Sequence, residues 1–439
     1  MLFQSIDFLF LFLPSIFFIY FFVSKHLSSI SKYILIFAGI YFYSKWNIYH
    51  TPAIILSILV NYYISYQIVL TKKQKVKKRL LIYSIFFNII LLAFLKYSDF
   101  IILNINFLFN SNINKLNLPF PLAFSFVTFQ TINYLVNCFD NEIKNVNFKN
   151  YFLFIIFFPQ LIAGPIVKYN FMINQFDNLK NRYINKNNII IGLILIFIGL
   201  FKKVIIADTL ALNVDKNFLN YNQLELFSSW ITSTSFTFQI YFDFSGYIDI
   251  ATGIALLFNI RLPQNFNSPY KAVNMIDFWK RWHITLSNFL MNFIYYPWIK
   301  CIKNLDFFKS MLVTFAVFII AGIWHGPSWL FIIFGALHGV GIVFNHIYNK
   351  LNLNMNKFLS IFLTFNYINL TFVFFRAENI ESALGVIKSM FFFSGVNIYI
   401  IKNLDINSLI IFFISILIIF YFKNSNYLLD SYLKNKNEN

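Results

Sequence analysis

The sequence predicts an all-α polytopic membrane protein: one integral domain over 1–422, followed by a polar tail over 423–439. Three observations predict it. Only 12% of the 439 residues are charged while 59% are hydrophobic, too little charge to cover a soluble surface. Runs without Asp, Glu, Lys or Arg recur at 8–24, 51–71, 116–139, 187–201, 226–242, 358–375 and 406–422. Basic residues gather between these runs instead of spreading through them. A helix needs about 20 mainly apolar residues to cross a bilayer core, and on that measure we expect roughly eleven transmembrane helices, the shorter ones tilted, plus re-entrant or half-buried helices.

The basic residues decide both class and orientation. A net charge of +18 in a soluble chain would suggest nucleic acid. Here the densest cluster, Lys72, Lys73, Lys75, Lys77, Lys78 and Arg79, lies between two apolar runs, which is the positive-inside pattern. It places that loop in the cytoplasm. Three expected spans precede it, so the N-terminus is expected outside. The start of the chain lacks a basic region and a small-residue cleavage site, so 8–24 is expected to stay as a span. Cys138 and Cys301 have no metal or redox spacing and are expected to be packing residues. No internal repeat stands out.

The run at 310–349 is forty residues long without an acid, a Lys or an Arg. That is too long for one span and suits two. Between its halves stands Trp324-His325-Gly326-Pro327-Ser328. Pro327 disfavours helical geometry at Gly326, so the helix is expected to break beside His325. Non-helical backbone at membrane depth needs surrounding protein or a water-filled cavity. His325 and His338 both lie in this run, and an ionisable side chain there is a functional candidate. His26, His50 and His346 sit near helix ends and fit interfacial or packing roles.

A second candidate stretch is Asp277-Phe278-Trp279-Lys280-Arg281-Trp282-His283. Asp277 and Arg281 have the i,i+4 spacing of a helical ion pair. Two Trp with a Lys and an Arg also describe an interfacial anchor; alternatively the two cations bind phosphates of an acyl donor. Asp243 and Asp249 flank Ser245-Gly246 at the end of an apolar run, where acids serve as a proton relay, a cap or counter-ions. The sequence has no glycine-rich phosphate loop, no zinc spacing and no nucleophile elbow.

Taken in order, these segments resemble the membrane-bound O-acyltransferases, in particular the bacterial branch that acetylates alginate and peptidoglycan. The matching stretches are Phe158-Pro159-Gln160-Leu161-Ile162-Ala163-Gly164-Pro165, Gly199 through Asp208, Tyr241-Phe242-Asp243-Phe244-Ser245-Gly246-Tyr247, Leu262-Pro263-Gln264-Asn265-Phe266, Asp277 through Ser287, Trp324-His325-Gly326, Leu337-His338-Gly339 and Phe374-Phe375-Arg376-Ala377. The chain departs from the family at Pro121-Leu122-Ala123-Phe124 and at Met291-Asn292-Phe293, where relatives carry Pro-Leu-Gly-Ile and Arg-Asp-Tyr.

The resemblance implies that His325 is the catalytic histidine and His338 a second one. Asp243, Ser245, Asp277, Trp279, Lys280, Arg281, His283 and Trp324 are the candidates to line a donor site or passage. The resemblance further implies acetyl-CoA as donor substrate with no bound cofactor or metal, a separate periplasmic O-acetyltransferase as partner, and residence in the inner membrane. As base, a histidine deprotonates the attacking hydroxyl; as nucleophile, it carries the acetyl group itself. Both roles fit the residues. Transport of an envelope precursor without covalent chemistry, and D-alanyl transfer to teichoic acid, are the competing readings.

Overall fold

A computed structural model describes residues 2–27, 30–391, 405–427 and 429. Most of the tail expected at 423–439 lies outside these residues. The described residues are helical with no strand. Among the described residues, eight helices are long and apolar enough to cross a membrane, and one shorter apolar helix, Ile406–Tyr421, joins them. The difference from roughly eleven arises at segments such as Ser31–Ser44 and Phe124–Phe139, which form helices of only 14 and 16 residues. The chain forms two compact units, one of 1–197 with 250–263, the other of 198–249 with 264–439.

The first unit begins with α1 (Asp7–His26), α2 (Ser31–Ser44), α3 (Thr51–Leu70) and α4 (Gln74–Phe109). At 36 residues, α4 is about 54 Å long, more than a bilayer core requires. It starts within the basic cluster, so its surplus length carries those charges clear of the apolar layer. Asn61 on α3 and Asn88 on α4 exchange amide hydrogen bonds at 3.1 and 2.7 Å, a buried polar clasp between the two helices.

Next come α5 (Phe124–Phe139), α6 (Phe148–Ile156), α7 (Phe158–Leu161) and α8 (Tyr169–Asp177). Pro159 cannot continue α6, and the chain breaks at Phe157 (ψ 105°). Every residue from 151 to 161 is buried. The amide of Gln160 donates to the Phe154 carbonyl at 2.7 Å, satisfying an acceptor that the break frees. Cys138 is buried as expected, whereas Cys301, in the second unit, is exposed and does not pack in a core.

Two long helices contribute to both units, α9 (Lys186–Leu219) and α10 (Leu226–Leu257). Within the second unit they approach to backbone contact. A Cβ on Gly246 would lie 2.8 Å from the Gly199 carbonyl oxygen and 3.0 Å from Lys202 Cβ, so only glycine allows this spacing. The turn Phe201–Ala207 of α9 is a π-helix. Across it Lys202 pairs with Asp249 at 2.6 Å, and Lys203 pairs with Asp243 at 2.6 Å and Asp208 at 2.9 Å. Lys202 and Asp249 are buried, and their pairing supplies the partner that each buried charge requires, while Lys203, Asp208 and Asp243 are partly exposed.

The second unit continues with α11 (Met275–Trp279), α12 (Ile284–Leu290), α13 (Phe307–His325), α14 (Trp329–Lys350), α15 (Lys357–Arg376), α16 (Ile380–Phe391) and α17 (Ile406–Tyr421). The charge-free run at 310–349 is the antiparallel hairpin of α13 and α14. Its legs touch at glycine: a Cβ on Gly322 would lie inside the Phe331 carbonyl oxygen and 3.0 Å from Gly335 Cα. Asn369 of α15 donates to Ser233 Oγ at 3.1 Å and accepts from Thr237 Oγ1 at 2.7 Å, which fastens α15 to α10.

Candidate active site

His325 is the last residue of α13. Gly326 is extended (φ −172°, ψ 163°), and α14 starts again at Trp329 with Ser328 Oγ accepting from Leu330 N at 3.2 Å. The expected break therefore lies at the tip of the hairpin. The imidazole is half-buried. Aromatic rings surround it: Trp324 at 5.1 Å, Phe375 at 5.3 Å, Phe334 at 5.7 Å and Phe331 at 6.4 Å between centroids. Gly326 gives Phe331 its place, since a Cβ there would collide with that ring.

His338 sits about two and a half turns along α14 and is 0% exposed. Its Nδ1 lies 3.2 Å from Trp279 Nε1 and its Nε2 lies 2.9 Å from Thr371 Oγ1. Phe334 packs between the two histidines, 4.4 Å from the His338 ring and 5.7 Å from the His325 ring. The structure thus brings together His325, His338, Trp279 and Trp324, with Thr371 and Phe334 as members that the sequence reading did not name.

His283 joins the site through a short extended segment. Asn265 is fully buried, and its Oδ1 accepts from Thr285 N at 3.1 Å and from Thr285 Oγ1 at 3.0 Å. Backbone bonds from Asn267 N to Arg281 O and from Ile284 N to Asn265 O hold the same segment against the chain on either side of Trp282 and His283. His283 Nδ1 is 3.3 Å from that same Oδ1. Because a backbone N–H only donates, Oδ1 is an acceptor, and His283 Nδ1 must carry a proton, leaving its lone pair on Nε2. Burial holds the His283 pKa down to about 3, with the nearby charge of His325 adding to the effect. The residue adopts φ 43°, a conformation that non-glycine residues hold only where surrounding structure enforces it.

The remaining candidates are ion-paired (Asp277, Arg281, Asp243), exposed (Lys280) or buried (Ser245). Asp277 and Arg281 form the expected ion pair at 2.8 Å. Asp277 also accepts from Val273 N at 3.2 Å, and Asn274 caps the helix by accepting from Asp277 N at 2.8 Å. Lys280 is exposed and Ser245 is buried. Asp243 is committed to Lys203. The sequence reading missed that partner because the contact joins residues forty positions apart on different helices.

Comparison with known proteins covers the stretch that holds these residues. The family profile of MBOAT, the membrane-bound O-acyltransferase family, matches residues 40–383. The chain is 42% identical over 430 residues to the peptidoglycan O-acetyltransferase of Helicobacter pylori, covering 91% of this chain and 81% of that protein. It is 30% identical over 405 residues to the probable alginate O-acetylase AlgI of Pseudomonas aeruginosa, covering 90% and 75%. Identity to the teichoic acid D-alanyltransferase of Bacillus subtilis is 26% over 276 residues, 60% and 70% of the two chains. The apolar helices, the histidine at the broken hairpin tip and a profile match that includes both hairpin histidines agree, and the chain belongs to the membrane-bound O-acyltransferase family as a multi-pass membrane enzyme.

Proposed function

We propose that this O-acetyltransferase takes acetyl from cytoplasmic acetyl-CoA and passes it towards an extracytoplasmic polysaccharide, peptidoglycan ahead of alginate-like polymers. A separate periplasmic transferase would complete delivery. In this reading the protein resides in the inner membrane, with its N-terminus outside and Lys72–Arg79 in the cytoplasm. Two relatives act on peptidoglycan and alginate by name, and the identity to the peptidoglycan enzyme is 42% against 30%. Acetyl-CoA is large and polyanionic, so only its small acetyl group can cross an apolar layer.

The observation that carries the reading is His325 at the non-helical tip of a charge-free hairpin. In the transfer step His325 removes the proton of the acceptor hydroxyl. The oxygen then bonds to the thioester carbonyl carbon, the carbon–sulfur bond breaks, and the proton passes from the imidazole to the departing thiolate. Base catalysis of this kind contributes about 10²–10⁴-fold. The aromatic rings packed around His325 limit the access of water, which otherwise competes as acceptor. Asn265 and Thr285 hold His283 in place, and Asp277 takes up Arg281, so Lys280 is the cation of this stretch left to meet a donor phosphate.

The test is His325→Ala in purified protein supplied with radiolabelled acetyl-CoA and, separately, in cells assayed for polymer acetylation. Loss of both thioester consumption and polymer acetylation by folded protein is expected; full activity in the variant would end the assignment. Hydroxylamine-labile label retained on the wild-type protein but absent from folded His325→Ala would make His325 an acetyl carrier rather than a base.

A further inference from the structure

His338 shares the hairpin with His325, but its hydrogen bonds define its state completely. An indole nitrogen has a hydrogen to give and no lone pair to accept with. Trp279 Nε1, 3.2 Å away, therefore donates to His338 Nδ1, which carries no proton. On the other side Thr371 Oγ1 gives its own hydrogen to the Ile368 carbonyl at 2.7 Å. At 2.9 Å from His338 Nε2 that hydroxyl can then only accept, so Nε2 carries the proton. The ring is the neutral Nε2–H tautomer with its lone pair directed at Trp279 and its proton at Thr371. Its surroundings are closed by Phe278, Phe334 and Phe372, at 6.1, 4.4 and 6.2 Å between centroids.

General-base and nucleophilic catalysis both require a lone pair that can reach the reacting atom. His338 has none to offer. Its bonds instead tie three helices: α11 through Trp279, its own α14, and α15 through Thr371. The same α15 supplies Phe375 to the His325 ring, and the same α14 supplies Phe334 to both rings. We infer that His338 is a positioning residue, a tautomer-locked strut that sets α11 and α15 around His325 and takes no proton or acetyl group in turnover. The inference rests on His325 being the reacting histidine.

Two measurements on the full-length protein in lipid test it. The first compares His338→Ala, His338→Phe and His338→Gln, each checked for folding by size-exclusion chromatography, in acetyl transfer from acetyl-CoA. Glutamine keeps one acceptor and one donor but can neither exchange a proton as a base nor hold an acetyl group. A positioning role predicts that Gln recovers most of the activity lost in Ala and Phe, with the pH profile of the wild type. If folded His338→Gln is as inactive as His325→Ala, the inference is overturned, as it is if acetyl label is found on His338. Should the Ala and Phe variants fail to fold, the Gln comparison with wild type still decides.

The second measurement is the ¹⁵N spectrum of histidine-labelled protein at pH 7, with the His338 signals assigned by their loss in His338→Gln. A bare Nδ1 and a protonated Nε2 are expected; a protonated Nδ1 would overturn the assignment. This readout needs no turnover. A correct tautomer in a protein that fails to consume acetyl-CoA would count against the acetyl-transfer reading while leaving the ring's state established.

Discussion

His325 and His338 stand thirteen residues apart in one hairpin, yet they meet opposite surroundings. The first lies where the helix ends, half-open, with rings on its sides and an extended glycine after it. The second lies inside a continuous helix, fully closed, with a donor on one nitrogen and an acceptor on the other. Residue type and a charge-free neighbourhood are common to both. What separates them is backbone continuity and the partners that other helices bring, and these decide which imidazole can exchange a proton with a substrate.

The comparison depends on the hairpin legs lying at backbone contact, so separating them should have the largest effect. In Gly322→Leu the new side chain has to occupy the position of Gly335 and the Phe331 carbonyl. Loss of folded, membrane-inserted protein is expected, read as disappearance of the monodisperse peak in detergent. A folded and active variant would show that the legs can part without disturbing either histidine. Phe334→Ala ranks next. The buried ring touches both histidines, and its removal should cost about 3–5 kcal/mol through the cavity left behind. Thermal unfolding measures this, and activity should fall with stability because both rings lose the same neighbour.

Sequence made one half of this comparison legible. Forty residues without charge, interrupted by Gly326-Pro327, already require two helices and a break, and the break is where the structure has it. The partners of His338 were not legible in the same way. Trp279 and Thr371 lie 59 and 33 positions away, and no periodicity along one helix links them. The same holds for Lys202 with Asp249, 47 positions apart. Gly199 and Gly246 both lie in the matching segments, yet only the packing of α9 on α10 reveals that one needs the other. The expected span number also exceeded the helices of spanning length, because charge-free runs mark burial in lipid or protein alike. The run at 116–139, which yields only the 16-residue and largely buried helix α5, is such a case.

A third histidine sharpens the contrast through pH. His283 is buried as His338 is, yet lies outside the long apolar helices, and its pKa is about 3 in the folded protein against an ordinary value near 6.5. Between those values the unfolded chain takes up a proton that the folded protein refuses, so stability falls as pH drops from about 6.5 towards 3 and is independent of this group above that window. His283→Asn removes the titration while keeping a residue that tolerates φ 43°. Melting temperatures of the wild type should fall more steeply than those of the variant between pH 6.5 and 4. Equal slopes would assign the acid sensitivity elsewhere.

The smallest expected effect concerns Lys280, which neighbours the buried Trp279 in sequence but is itself exposed. Arg281 is held by Asp277 at 2.8 Å and reaches Asn267 O at 3.4 Å, so its charge is partly spent within the protein. Surface substitutions away from such contacts usually change stability by no more than about 0.5 kcal/mol, and Lys280→Glu should melt with the wild type. Its consequence should be kinetic. If this stretch meets the donor's phosphates, reversing one charge weakens ground-state and transition-state binding alike, so KM for acetyl-CoA rises while kcat holds. The rise should shrink as salt screens the exposed charge. An unchanged KM at low salt would remove Lys280 from the donor site and leave the Trp279–His338 contact as the principal reason for the conformation of this segment.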